Sequence, residues 1–237
     1  MKRKLETTTL LGIDCVDIDR LIVAAEICQQ AFDFAEVKLL TSLPSNNSNI
    51  ILIPPVDSIE EYSRFMIEEL DAYVETPHVL VIQYDGFILN PSAWTDEFLA
   101  YDYIGAPWFV DRWAVGKFGL SEDLIGTSIV GNGGFSLRSK KFLSLCAELS
   151  REHALEKLHP EDAALCVWNR ELLEARGARF APVALAKQFS FERITNDHTK
   201  WDEQFGFHGF RWSDITKWQA EHPEYEINAE LKTIRHG

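Results

Sequence analysis

Four stretches of the chain carry side chains that could do chemistry: Gln83-Tyr84-Asp85, the loop Val130-Gly131-Asn132-Gly133-Gly134-Phe135-Ser136-Leu137-Arg138, the pair Glu161-Asp162, and His208 within Phe205-Gly206-Phe207-His208-Gly209-Phe210. Asp85 follows the apolar run 78–82, so it stands where a strand would end, and a carboxylate there can ligate a metal or hold a hydroxyl. An Asp-Gly turn is the plainer alternative. The glycines of the 130–138 loop let the backbone approach a ligand closely, or else make a tight hairpin turn. A dinucleotide fingerprint is excluded, because its third glycine would fall on Ser136. Glu161 and Asp162 follow Pro160 and sit in the first turn of a helix, where the helix dipole favours acidic residues without any catalysis. A lone histidine is often structural, but His208 lies in a glycine-rich loop that offers little packing to justify it.

The elements that must position these residues follow from periodicity. Residues 10–15, 37–41, 50–53 and 78–82 read as buried strands, with helices over 17–32 and from Ser58 onward, where Glu61 completes a capping box. Such alternation predicts an α/β fold with a mixed, mainly parallel sheet covered by helices on both faces. The stretch from Asp102 to Thr127 has few periodic apolar residues but carries Trp108, Phe109, Trp113 and Phe118, which predicts a lid or a surface excursion packed on the body. Ser139 caps a helix through Phe142, Leu143, Cys146 and Leu149. Residues 178–184 and 188–192 read as short strands, and the tail at 213–218 and 225–234 reads as amphipathic helix. The expectation is one domain over 1–237, with a flexible tail at 1–9 and a helical C-terminal segment at 211–237.

Composition narrows the function. A formal net charge of -14 in 237 residues argues against a nucleic-acid surface, which needs clustered Lys and Arg. The basic start, Met1-Lys2-Arg3-Lys4, is followed by Glu6 and threonines rather than an apolar run, so it reads as a solubilising tail or a weak peripheral membrane contact. Cys15, Cys28, Cys146 and Cys166 lack CxxC spacing and read as buried free thiols in a reducing compartment, hence a cytoplasmic site.

The order of the motifs resembles the GT-A class of nucleotide-sugar glycosyltransferases, and within it a bacterial glycosyltransferase-like family formerly catalogued as a domain of unknown function. The segments that carry the resemblance are Tyr103-Ile104-Gly105-Ala106-Pro107-Trp108, Gly131 to Arg138, Glu161-Asp162, Phe189-Ser190-Phe191-Glu192 and Phe205-Gly206-Phe207-His208. It spans residues 10–210 and implies a GT-A-like domain that takes a sugar from a donor such as a UDP-sugar to a glycan acceptor in surface polysaccharide biosynthesis. By this resemblance Asp85 is the second carboxylate of an Asp-X-Asp motif whose first position is Gln83. Gln83 and Tyr84 line the cofactor, and His208 joins Asp85 on a divalent cation, Mn2+ or Mg2+. The same resemblance makes Asp162 the base for the acceptor hydroxyl in an inverting transfer, Glu161 a holder of an acceptor or donor hydroxyl, and Asn132, Gly133 and Gly134 contacts of the donor sugar. Two other functions use the same residues. One is a non-catalytic sugar or nucleotide-sugar binding module, suggested by Gln83. The other is a metal-dependent phosphoester hydrolase that ligates metal through Asp85, Glu161, Asp162 and His208.

Overall fold

The computed structural model describes residues 2–192 and 201–237. Its centre is a six-stranded sheet of order β3-β2-β1-β4-β8-β5, built from β1 (Arg3–Ile13), β2 (Phe32–Thr41), β3 (Ile50–Leu52), β4 (His78–Ile82), β5 (Tyr103–Gly105) and β8 (Ser136–Ser139). The first four of these run parallel, and β8 enters antiparallel between β4 and β5. The mixed, mainly parallel α/β class is therefore the one expected.

Alternation along the two central strands explains why both faces are covered. Leu10, Leu80 and Ile82 join one buried cluster with α1 (Ile18–Ala31), while Leu11, Ile13, Val79 and Val81 join a second with α2 (Ile59–Glu68). A strand buried on both faces reads as a continuous apolar run, as 78–82 does. The α2 start follows its sequence signal, with Ser58 Oγ accepting from Glu61 N at 3.1 Å. So does α4 (Lys140–Arg151), which follows β8 directly and is capped by Ser139 Oγ accepting from Phe142 N.

Several expectations are corrected. β1 begins at Arg3 and pairs with Phe32, so the segment expected as a flexible tail is strand, with Leu5 buried between exposed Lys4 and Glu6; Met1 lies outside the described residues. The C-terminal segment is helical only at α8 (Thr216–Glu221). Residues expected as helix beyond it form a hairpin of β11 (Tyr225–Asn228) and β12 (Thr233–His236) that packs on α1. Its alternating burial, Tyr225 and Ile227 inward with Glu226 and Asn228 outward, is a strand period. In the 178–192 region the chain forms a helix, α7 (Val183–Phe189), started by Pro182, before the two-residue strand β9 (Ser190–Phe191), which pairs with β10 (Gly206–Phe207).

The stretch expected as a lid or as a surface excursion packed on the body is a small folded flap. β6 (Pro107–Phe109) pairs antiparallel with β7 (Ser128–Val130), and between them lies α3 (Arg112–Phe118), capped by Asp111 and ended by Gly119 at φ +69°.

Candidate active site

The strand order reverses beside β1, because β2 and β3 lie on one side of it and β4 on the other. A crevice opens outside the carboxyl ends of strands at such a point. Asp14 sits there at the end of β1, its carboxylate held by Arg20 Nε at 2.6 Å and by the amides of Val16 and Asp17. The Arg20 guanidinium lies 3.9 Å from the centre of the Tyr84 ring, so the loops after β1 and β4 are clamped together. Gln83 and Gly86 exchange backbone hydrogen bonds across Tyr84 and Asp85, and the Asp-Gly turn is therefore real. It also presents the carboxylate: Asp85 Oδ1 is buried and has no hydrogen-bond partner.

The glycine loop is crowded by the chain's own functional side chains. A Cβ at Gly133 would overlap the Glu161 carboxylate, and one at Gly134 would overlap the His208 imidazole. Between β7 and β8 the turn is made by Asn132 at φ +61°, whose Oδ1 accepts from Phe135 N. The glycines at 133 and 134 are thus needed for the approach of Glu161 and His208, whatever else lies above them.

Glu161 and Asp162 part company. Glu161 points into the protein, 2.5 Å from Arg138 Nη1, and both side chains are essentially without solvent contact. Arg138 also donates to Gly133 O and to Ser136 Oγ. A buried pair of this kind gains little net stability, but removing one partner leaves an uncompensated charge. Glu161 does not face a position where it could hold a substrate hydroxyl; it locks the loop to the helix start. Asp162 turns the other way, onto the floor of a pocket of about 400 Å³ walled by Trp108, Phe109, Trp113 and Phe118 and shared with Glu192. Burial and the neighbouring charges of Glu161 and Glu192 push the Asp162 carboxyl up to about 7. Trp108 and Phe118 stack with centres 5.7 Å apart, and half-exposed Trp113 meets Phe118 edge-on, so the flap offers flat apolar faces above a carboxylate.

His208 is held from both sides. Its Nδ1 lies 2.7 Å from Glu192 Oε1, and its Nε2 lies 2.9 Å from Gln83 Oε1 and 3.7 Å from Asp85 Oδ1. Gln83 Nε2 donates to Tyr62 OH, which fixes the amide with its oxygen towards the imidazole. Burial alone would push the His208 imidazolium down, but Asp85 and the hydrogen bond to Glu192 outweigh it and raise it to about 9. The arrangement fits a divalent cation. Asp85 Oδ1 is an orphaned buried acceptor, His208 Nε2 and Gln83 Oε1 converge with it, and a carboxylate on the far nitrogen is the usual support of a ligating histidine. Among the described residues no three His, Cys, Asp or Glu side chains gather as a metal set, so this one depends on a glutamine oxygen.

The structure thus brings Gln83, Asp85, Asn132, Gly134 and His208 together and sets Asp162 near them, while Tyr84 lies on the β1 side and Glu161 and Gly133 lie beneath. Glu192 was legible only as part of a motif. Arg138, Asp14 and Arg20 gave no separate signal, since their partners are fixed by packing rather than spacing. No helix among the described residues is long and apolar enough to cross a membrane.

A family model described as "Protein of unknown function (DUF5672)" matches residues 49–208. No curated protein matches the chain. Similar solved structures include the galactosyltransferase LgtC in complex with donor and acceptor sugar analogues, 18% identical, covering 91% of this chain and 93% of that one at a TM-score of 0.48. The mannosyltransferase PcManGT from Pyrobaculum calidifontis, in complex with GDP-Man and Mn2+, is 7% identical over 76% of this chain and 55% of its own, at a TM-score of 0.43. The glycosyltransferase GlyE from Streptococcus pneumoniae is 13% identical over 88% and 54%, at 0.45. The chain spans about half the length of these last two. At such identities and TM-scores the likeness assigns no activity.

Proposed function

This chain belongs to the family described as "Protein of unknown function (DUF5672)", and from its site we propose that it is a glycosyltransferase moving a sugar from a nucleotide-sugar donor to a hydroxyl of a glycan acceptor. The observation that carries the reading is a division of labour joined through Glu192: Asp162 and Glu192 line one aromatic pocket, and Glu192 Oε1 lies 2.7 Å from His208 Nδ1, whose Nε2 approaches Gln83 and Asp85. Glycosyl transfer needs this division, with a base at the attacking oxygen and positive charge at the departing phosphate.

The acceptor sugar lies against Trp108, Trp113 and Phe118, with one hydroxyl at Asp162. Asp162 takes the hydroxyl proton as the oxygen bonds to the anomeric carbon. The bond from that carbon to the phosphate oxygen breaks with its electron pair on the nucleoside diphosphate. Attack from the side opposite the leaving group inverts the anomeric configuration. Asp85, His208 and Gln83 would hold a divalent cation, Mn2+ or Mg2+, which when bound neutralises diphosphate charge. Tyr84, stiffened by Arg20, would flank the nucleotide. Asn132, Gly133 and Gly134 are buried, with Glu161 and His208 against the glycines, and would back the donor sugar from behind these side chains; Glu161 keeps the loop in place through Arg138 rather than touching substrate.

The reading extends, through the family resemblance, to a UDP-sugar donor, a cytoplasmic site with peripheral membrane association, and surface polysaccharide assembly. A hydrolase using Asp85, Glu161, Asp162 and His208 as ligands is disfavoured, since Glu161 is committed to Arg138. A binding module that does no chemistry is favoured by Gln83 alone. A thermal-shift panel of UDP-, GDP- and CDP-sugars with and without MnCl2 tests the proposal. Stabilisation by one nucleotide series, strengthened by metal, is expected; no response to any of them would remove the donor site.

A further inference from the structure

Trp108 and His208 are distant in sequence, yet both bind the same carboxylate. Trp108 Nε1 donates to Glu192 Oε2 at 2.7 Å, and His208 Nδ1 lies 2.7 Å from Glu192 Oε1. The Glu192 side chain is only 15% exposed, and the Asn132 amide also reaches it. A carboxylate so placed is costly unless each oxygen is satisfied, and here one oxygen is taken by the flap tryptophan and the other by the histidine after β10.

Neither end could easily move alone. Trp108 belongs to the flap strand β6, stacks on Phe118 of α3, and presses its ring on the backbone at Gly131. His208 follows β10, which pairs with β9, and Glu192 is the residue directly after β9. One short parallel strand pair therefore delivers both the carboxylate and the imidazole, and the flap closes onto the carboxylate's free oxygen. The proposed chemistry uses Glu192 for nothing else.

We propose that Glu192 is a positioning residue that couples the aromatic flap to the cation end of the site: one oxygen aims His208 Nε2 at Asp85 and Gln83, and the other seats Trp108 as the inner wall of the acceptor pocket. Cation binding and the seating of the flap are then linked, and linkage between sites is reciprocal. A cation held by His208 strengthens the wall on which an acceptor rests, and loosening that wall weakens the cation's hold. The inference rests on the glycosyltransferase reading only for the identity of what enters the pocket. The cation end is tested with the metal alone.

The experiment is calorimetric titration of MnCl2 into the full chain, wild type, Glu192→Gln, Trp108→Phe and the double variant, with thermal unfolding of each. Glu192→Gln is expected to lower Mn2+ affinity about 10- to 100-fold, the usual effect of removing a carboxylate behind a ligating histidine. Trp108→Phe keeps the ring but cannot donate, and should lower affinity at least about twofold, the lower end of coupling through such a network. Its effect should vanish in the Glu192→Gln background, which a purely local packing role for either residue would not produce. Mn2+ affinity in Glu192→Gln equal to that of wild type would overturn the proposal, as would no Mn2+ binding by wild type or an unchanged affinity in Trp108→Phe. If Glu192→Gln does not fold, Trp108→Phe alone decides. A chain stabilised by a nucleotide sugar with these variants indistinguishable loses the coupling and keeps the function; the coupling seen without any nucleotide-sugar response does the reverse.

Discussion

Glu161 and Asp162 are adjacent carboxylates at one helix start, and the layers they face are opposites. Below, Glu161 meets Arg138 in a region closed to water, with Gly133 pressed against the pair. Above, Asp162 lines an aromatic pocket beside Glu192, and among the described residues no ion pair to its carboxyl matches the Arg138–Glu161 contact; its carboxyl sits at about 7. Glu161 is thus compensated by a direct ion pair in the layer that holds the structure, while Asp162 shares its pocket with a second carboxylate, Glu192, which is itself held by His208 and Trp108. A helix start supplies this contrast cheaply, because consecutive residues on a helix point about 100° apart.

The largest effect should come from breaking the lower layer. Glu161→Ala leaves Arg138 buried without its partner, a loss of about 3–5 kcal/mol. For a chain of this size that is a fall in Tm of roughly 6–20 °C, measured by thermal unfolding. An unchanged Tm would put Glu161 back among the groups free to meet substrate.

The upper layer should behave in the opposite sense. Asp162→Asn should cut kcat by about 10²–10⁴, the usual contribution of a general base, while the fold survives. Its stability effect has a definite sign. The folded carboxyl is raised above its ordinary value, so its contribution to stability is greatest at low pH and is lost as pH rises through about 7. At pH 8 the amide should therefore melt no lower than wild type, and higher if ionised Asp162 is strained. The same shift predicts that kcat/KM of wild type rises with pH through about 7, where Asp162 ionises. A pH profile flat between 6 and 8 would assign the proton to another group.

Between the layers lies the glycine floor. Gly134→Ala drives a methyl into the His208 ring and should cost about 1–3 kcal/mol, with weaker Mn2+ binding in calorimetry as its specific sign. Smallest is Trp113→Ala on the flap. Half exposed, it should change stability by less than about 0.5 kcal/mol, yet raise KM for the acceptor and leave that for the donor unchanged. A larger donor effect would place the two substrates the other way round.

The sequence exposed these layers unevenly. β4 and the acidic turn after it were legible because a doubly buried strand is a continuous apolar run that stops abruptly at Gln83. The caps at Ser58 and Ser139 were legible because capping is local. The glycine loop was located but its reason was not: the side chains that demand glycine, from Glu161 and His208, come from elsewhere in the chain. Arg138 stood inside the motif with nothing to say that its partner was Glu161 rather than solvent. Strand β1 extends beyond its expected start at Leu10 to Arg3, because Leu5 is buried between charged Lys4 and Glu6, a pattern that also suits an exposed tail. The C-terminal hairpin is not distinguished from a helix by its sequence, because Tyr225, Ile227, Leu231 and Ile234 fit either period over so short a span. Leu231 in fact lies exposed in the turn, and Ile234 is buried in β12.

The most direct test of the central claim is release of nucleoside diphosphate from the donor that stabilises the chain, followed with and without a glycan acceptor, in wild type and Asp162→Asn. The account predicts acceptor-stimulated release by wild type and, in Asp162→Asn, donor stabilisation undiminished with release nearly abolished. Release that is equal in the two, or donor binding with no release by either, would contradict it.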